Sequence, residues 1–133
     1  MRVMIVGCGR VGSVLANRLD EAKHHVVVLD RNQQAFRRLS EKFSGERIVG
    51  NGLIEDFVRP TLQKKTDILF AMTDKDNINL MIVQKVKRNF QVGRVVAVVH
   101  DSILAGLYKE LGVETICPTD LVLKELLPMA QEG

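Results

Sequence analysis

The 133-residue chain has no tryptophan, one tyrosine and two cysteines, and none of its apolar runs approaches the length of a bilayer span. Two cysteines, Cys8 and Cys117, placed in different strand-end loops, build neither a disulfide framework nor a metal cluster, so both read as structural thiols. Cys8 stands just ahead of a helix N-terminus, the one place where a lowered pKa would make a thiol reactive. Aromatic residues are only 5% of the chain, and the basic clusters Arg37-Arg38, Lys64-Lys65 and Lys85-Val86-Lys87-Arg88 lack the aromatic interleaving of a single-strand binder. With no helix-turn-helix or RNP pattern either, nucleic-acid binding is excluded as an expectation. The formal charge of +3 spreads 19 basic residues among 16 acidic ones, which describes a solvated surface. The N-terminus has no signal-peptide pattern, and the reading is a soluble cytoplasmic chain.

What the chain does have is a 46% hydrophobic share, enough for one substantial core, so a single domain over residues 1–133 is expected, with no separate catalytic domain. Its most informative stretch is VMIVGCGRVGSVLANRL followed by HHVVVLDR. Val3 to Val6 suit a buried parallel strand, and Gly7, Gly9 and Gly12 occupy the GxGxxG positions at the start of a helix. In such a turn the first glycine permits the bend, the second admits a pyrophosphate close to backbone N–H groups, and the third lets helix pack on strand. The phosphates rest on the helix N-terminus, where unpaired amides and the macrodipole favour negative charge. Asp30 lies eighteen residues beyond Gly12 at the end of the next apolar run, where a carboxylate accepts hydrogen bonds from a ribose. That carboxylate should also repel a ribose 2′-phosphate, with Arg31 beside it softening the discrimination.

Apolar runs alternate with helical patterns along the whole chain. The periodicity predicts strands at 3–6, 26–29, 47–49, 68–72, 95–99 and 115–117, and helices at 11–22, 33–43, 54–62, 75–90, 103–111 and 121–130. Right-handed crossovers then give an α/β, Rossmann-type, doubly wound parallel sheet of six strands in the order 3-2-1-4-5-6, closed by a C-terminal crossover helix. Ligands of such sheets bind beyond the strand carboxyl ends. That edge collects the glycine turn, then Asp30 and Arg31, then Gly50, Asn51 and Gly52, then Thr73 and Asp74, then His100 and Asp101. Thr73 is a candidate for phosphate or ribose, and Asn51 and Gly52 for the opposite wall. His100 can bond a ligand or a partner, whereas His24 and His25 fall on the far edge in surface roles.

Two helices carry more apolar surface than one sheet covers. In 75–90, Ile78, Met81, Ile82 and Val86 form a stripe that Leu80, Val83 and Phe90 widen; in 121–130, Leu121, Val122, Leu123, Leu126, Leu127 and Met129 leave Lys124 and Glu125 as the main charges. Both predict burial against a second subunit.

Taken together, VMIVGCGRVGSVLA, VVLDRN, IVGNG, ILFAMTDKDNINLM and RVVAVVHDSILAGLYKELGVETICPTDLVLKEL make the chain resemble the KTN or RCK N-terminal family, the cytosolic nucleotide-binding regulators of potassium uptake systems and related channels. The last two segments are the distinguishing ones, since dehydrogenases share the first. The resemblance implies a non-catalytic domain that binds NAD(H) or ATP/ADP and dimerises, alone or within a larger even-numbered ring. Its ligand state gates a membrane transport subunit, with the domain held at the inner face of the membrane by that partner. Carried onto this sequence, Gly7, Gly9, Arg10, Val11 and Gly12 hold phosphates, Asp30 holds the ribose and Arg31 flanks the adenine. The chain departs from the family pattern at Asn51 and Asn77, where acids are common, and at Val98, where arginine is frequent. A ligand domain that often follows is also missing, which suggests a fragment, a minimal member, or half of a two-gene assembly. The competing readings are a small NAD-dependent oxidoreductase, or a detached cofactor domain of one, for which His100 and Asp101 are the sole acid-base candidates, and a structural ring component that has lost its ligand.

Overall fold

The computed structural model describes residues 1–132. Among them, β1 (Arg2–Val6), β2 (His25–Asp30), β3 (Glu46–Val49), β4 (Thr66–Ala71), β5 (Val92–Val98) and β6 (Thr115–Ile116) form one sheet in the order β3-β2-β1-β4-β5-β6. Every pairing is parallel; β1 sets Val3 beside Val26 and Ile68, and Val6 beside Leu29 and Ala71. The helices are α1 (Arg10–Glu21), α2 (Glu55–Leu62), α3 (Asp76–Asn89), α4 (Ser102–Glu110) and α5 (Pro118–Gln131). The expected Rossmann-type architecture is therefore present.

Strand alternation divides the core in two. Val3 and Ile5 of β1 face Ala16 of α1 together with Ala35, Leu39 and Phe43. Met4 and Val6 face the other layer, with Val58 and Leu62 of α2 and Leu80, Ile82, Val83 and Val86 of α3. No helix of the described residues is long and apolar enough to cross a membrane.

One predicted helix is largely absent. Instead of an α-helix over 33–43 there is a 3₁₀ helix, Gln33–Arg38, opened by the Asn32 side chain accepting from the Gln34 amide and ended by extended Leu39 (φ −75°, ψ 145°). The cause lies on α1. Asn17 Oδ1 accepts from the Ser40 amide at 2.9 Å, and Asp20 accepts from both the amide and hydroxyl of Ser44 at 3.0 and 2.7 Å. These side chains capture backbone that a helix would need for itself. Leu39 and Phe43 still reach the core, from irregular backbone.

The predicted apolar surplus is distributed differently from expectation. α3 uses its own on the sheet: Leu80, Ile82, Val83 and Val86 are buried and Met81 is its exposed large hydrophobic residue. α5 has no buried residue, and all six of its large apolar side chains are exposed. α4 adds an unforeseen stripe, Ile103, Leu107 and Leu111, whose i, i+4, i+8 spacing was readable in the sequence.

Candidate functional site

The carboxyl ends of β1, β2 and β4 open into a crevice of about 320 Å³ lined by Gly7, Cys8, Gly9, Asp30, Arg31, Asn32, Ala35, Arg38, Asn51, Gly52, Thr73 and Asp74, with Val6, Leu29, Met72, Ile78 and Ile82 as apolar lining. The three fingerprint glycines divide by cause. Gly7 has φ +113°, and a Cβ on it would fall 2.5 Å from the Met72 carbonyl oxygen; a Cβ on Gly12 would fall 2.2 Å from the carbonyl oxygen of Gly7. The fold itself requires both. A Cβ on Gly9 meets nothing within 4 Å, so no packing in the chain explains that glycine. Gly9 is also the N-cap of α1 and offers no side chain to the first-turn amides. Space and unpaired donors coincide there, the arrangement a phosphate needs.

Asp30 ends β2 and is already engaged by backbone. Its Oδ2 accepts from the Cys8 amide at 2.9 Å and its Oδ1 from the Asn32 amide at 2.8 Å. A carboxylate has about four lone-pair positions, so two remain for a ribose diol. The same bonds make Asp30 the clasp of the glycine turn. The Cys8 thiol is fully buried, 3.4 Å from the Ala35 carbonyl oxygen. Burial, and then the Asp30 charge, push its pKa up, which removes the reactive reading of this residue.

Of the residues named from sequence, Gly7, Gly9, Asp30, Arg31, Asn51, Gly52 and Thr73 meet at this crevice. Arg10, Val11 and Gly12 form the first turn of α1 behind it, and Val11 is 70% exposed. Asn51 turns its Oδ1 onto the Leu53 amide at 2.9 Å, closing its own loop. The Thr73 hydroxyl is committed to Asn79 Oδ1 at 2.6 Å. His100 does not line the crevice; it borders a shallow depression with Lys75, Asp76, Asn77, Asp101 and Leu104 that adjoins the crevice at Asp74, a residue common to both linings. Its amide donates to Asp76 Oδ1 at 2.8 Å, its Nδ1 lies 3.0 Å from the same oxygen, and the Asp101 amide donates to Asp76 Oδ2 at 2.9 Å. Burial pushes the Asp76 carboxyl up, but the two amides and the His100 ring outweigh it and the net shift is downward.

Two features escape a sequence reading. Asn79, wholly buried, accepts from the Thr73 amide at 2.9 Å and donates to the carbonyls of Thr73 and Val98 at 3.1 and 2.8 Å, so it ties the end of β4 to the end of β5. With Asp76 it explains why the segment from Thr73 to Leu80 carries polar residues at fixed spacing: one side chain holds each neighbouring strand-end loop. Arg38 is the second. Its place in the crevice depends on the 3₁₀ turn, and the only visible signal was a basic pair on a predicted helix.

Comparison with known proteins agrees with this fold. The chain is 35% identical over 136 aligned residues to the Trk system potassium uptake protein TrkA of Streptomyces coelicolor, an alignment covering 99% of this chain and 61% of that protein. It thus spans about three fifths of that relative's length. The fold is shared with the TrkA-N domain of the inner membrane protein ybaL from Escherichia coli, with a TM-score of 0.82 at 19% identity over 96% of this chain and 95% of that one. It is shared also with the Kef CTD of Shewanella denitrificans in an AMP-bound form, with a TM-score of 0.78 at 24% identity over 98% and 82% of the two chains. Residues 3–118 match the TrkA-N domain family from the first strand to the root of the last helix, and the chain belongs to that family.

Proposed function

We propose that this domain is a nucleotide-sensing regulator: it binds an adenine nucleotide, NAD(H) or ATP/ADP, without transforming it, and conveys the ligand state to a potassium transport subunit through its own assembly. The observation that carries the reading is Gly9, a glycine that the packing does not require, set at the N-terminus of α1 beside the Asp30 carboxylate. Phosphates lie on the amides from Gly9 to Gly12, with Arg10 at the rim, the ribose hydroxyls bond to Asp30, and Arg31 flanks the adenine. Two further supports are the AMP-bound form of the Kef domain that shares this fold and the name of the Streptomyces relative. A transport partner holds the domain at the inner face of the membrane, and the exposed apolar side chains of α4 and α5 bring copies together as a dimer or larger even-numbered ring. Ligand changes the assembly only by binding one arrangement more tightly than another.

Against an oxidoreductase stands the position of His100, outside the crevice and bound to Asp76. Calorimetric titration with NADH, NAD, ADP and ATP, paired with an assay for nicotinamide turnover over a panel of hydroxy and carbonyl compounds, tests the reading. Saturable binding with no turnover is expected. Turnover that disappears in His100→Ala would replace the regulator with an enzyme.

A further inference from the structure

The ribose end of the crevice holds more positive charge than its single carboxylate balances. Arg31 and Arg38 both line it, and no carboxylate of the described residues is within ion-pairing distance of either. Asp74, the other acid of the lining, lies in the loop after β4, whereas Asp30 ends β2, with β1 between those strands.

Arg38 owes its position to the 3₁₀ segment. In such a helix side chains three apart eclipse one another, so Arg38 stands over Ala35, whose buried methyl forms the crevice wall. Its Nη1 reaches to 3.5 Å from the Cys8 carbonyl oxygen. Cys8 therefore carries Asp30 on its amide and Arg38 on its carbonyl, and the guanidinium sits one residue's backbone away from the ribose acceptor. Asp30 is meanwhile held by two amide donors that spread part of its charge.

We propose that Arg38, with Arg31, forms an anion subsite beside Asp30, so that the crevice admits adenosine bearing a 2′-phosphate, the NADP(H) class, as well as the NAD(H) class. The inference rests on the nucleotide reading above and revises the expectation that Asp30 excludes that phosphate. A 2′-phosphate meets one carboxylate and two guanidinium groups that have no other ionic partner. Guanidinium is suited to the role because its planar fork pairs two phosphate oxygens at once. Arg38 is the specificity-determining member: Arg31 is placed to flank the base, while Arg38 has no other polar function except its reach to Cys8.

The test is calorimetry with NADH and NADPH on the whole chain, for wild type, Arg38→Ala and Arg38→Lys, each checked for an unchanged thermal transition. Wild type should bind NADPH within about tenfold of NADH. Loss of a charge-assisted pair should weaken NADPH by about tenfold or more in Arg38→Ala while NADH changes less than about threefold. Arg38→Lys should recover part of the NADPH affinity, as a point charge without the fork. A wild-type preference for NADH above tenfold overturns the proposal, as does an Arg38→Ala protein weakened equally toward both, which would make Arg38 a brace for the glycine turn. Failure of NADH, NADPH and AMP alike to bind wild type overturns the nucleotide reading itself, whereas strong NADH binding with weak NADPH binding removes only the subsite.

Discussion

Replacing Asp30 with alanine separates the backbone clasp that the structure shows from the ribose contact proposed above. The first is internal. Oδ2 holds the amide of Cys8, a residue with no exposed surface, and Oδ1 holds the amide of Asn32, which is exposed. Without the carboxylate the Asn32 amide turns to water, but the Cys8 amide is stranded, which costs about 1–3 kcal/mol. At about 3–5 °C per kcal/mol for a domain of this size, the ligand-free melting temperature falls by several degrees. The second role concerns the ligand. Charge-assisted hydrogen bonds from a ribose diol contribute about 1.5–3 kcal/mol, so NADH and ADP should bind about ten- to a hundredfold more weakly. Scanning calorimetry without ligand measures the first effect, and titration well below the transition measures the second. A folded Asp30→Ala protein that melts lower yet binds NADH and ADP as tightly as wild type would make Asp30 a clasp alone and refute the ribose assignment.

Three other outcomes follow from features of the same fold. Removing everything after Pro118 should abolish self-association at tens of micromolar with only a small fall in the melting temperature of the remaining domain, because no residue of α5 is buried and the hydrogen bonds of Thr119 and Asp120 to the His100 carbonyl and the Ser102 hydroxyl are exposed; light scattering decides, and an unaltered monomer in both forms would contradict the interface. Asn79→Ala should cost about 2–4 kcal/mol in denaturant unfolding, since it strands the carbonyls and amide that the buried side chain satisfies. Asp76 has a folded pKa below that of the unfolded chain, near 3.9, so its stabilisation is complete above that value and is lost as pH falls through the lower folded one. The stability gap between wild type and Asp76→Asn, followed by urea unfolding, should accordingly be widest near neutrality and narrow below about pH 4.

Whatever was encoded locally was legible in the sequence. Apolar runs, the spacing of Gly7, Gly9 and Gly12, and an acid at the end of the second run each show in a short stretch of sequence, and the right-handed crossover rule then supplied the strand order and with it the edge where the crevice opens. β4 and β5 begin earlier than their apolar runs, at Thr66 and Val92, because parallel pairing carries Asp67, Gly93 and Arg94 along with the buried residues. What escaped was non-local. The loss of the helix beyond Arg38 is dictated by Asn17 and Asp20, more than twenty positions away, and nothing in the periodicity of 33–43 reports it. His100 lies on the expected edge, yet Asp76 captures it from the start of the preceding helix α3, a pairing over 24 positions. The same non-local origin explains why Arg38 was invisible as a site residue.

The sheet is narrowest in strand length at its two margins. β3 has four residues, with Glu46 and Arg47 exposed, and β6 has two. Short borders give a foreign strand little backbone to pair with, and on β3 the exposed Glu46 and Arg47 place ions where it would have to lie. Copies of this domain therefore have no productive way to join by extending one sheet into the next, and growth in that direction, the route to fibres, is disfavoured at both ends. Association is left to helix surfaces, whose side chains can slide and repack without breaking a hydrogen-bonded ladder, a property suited to the ligand-responsive assembly proposed above.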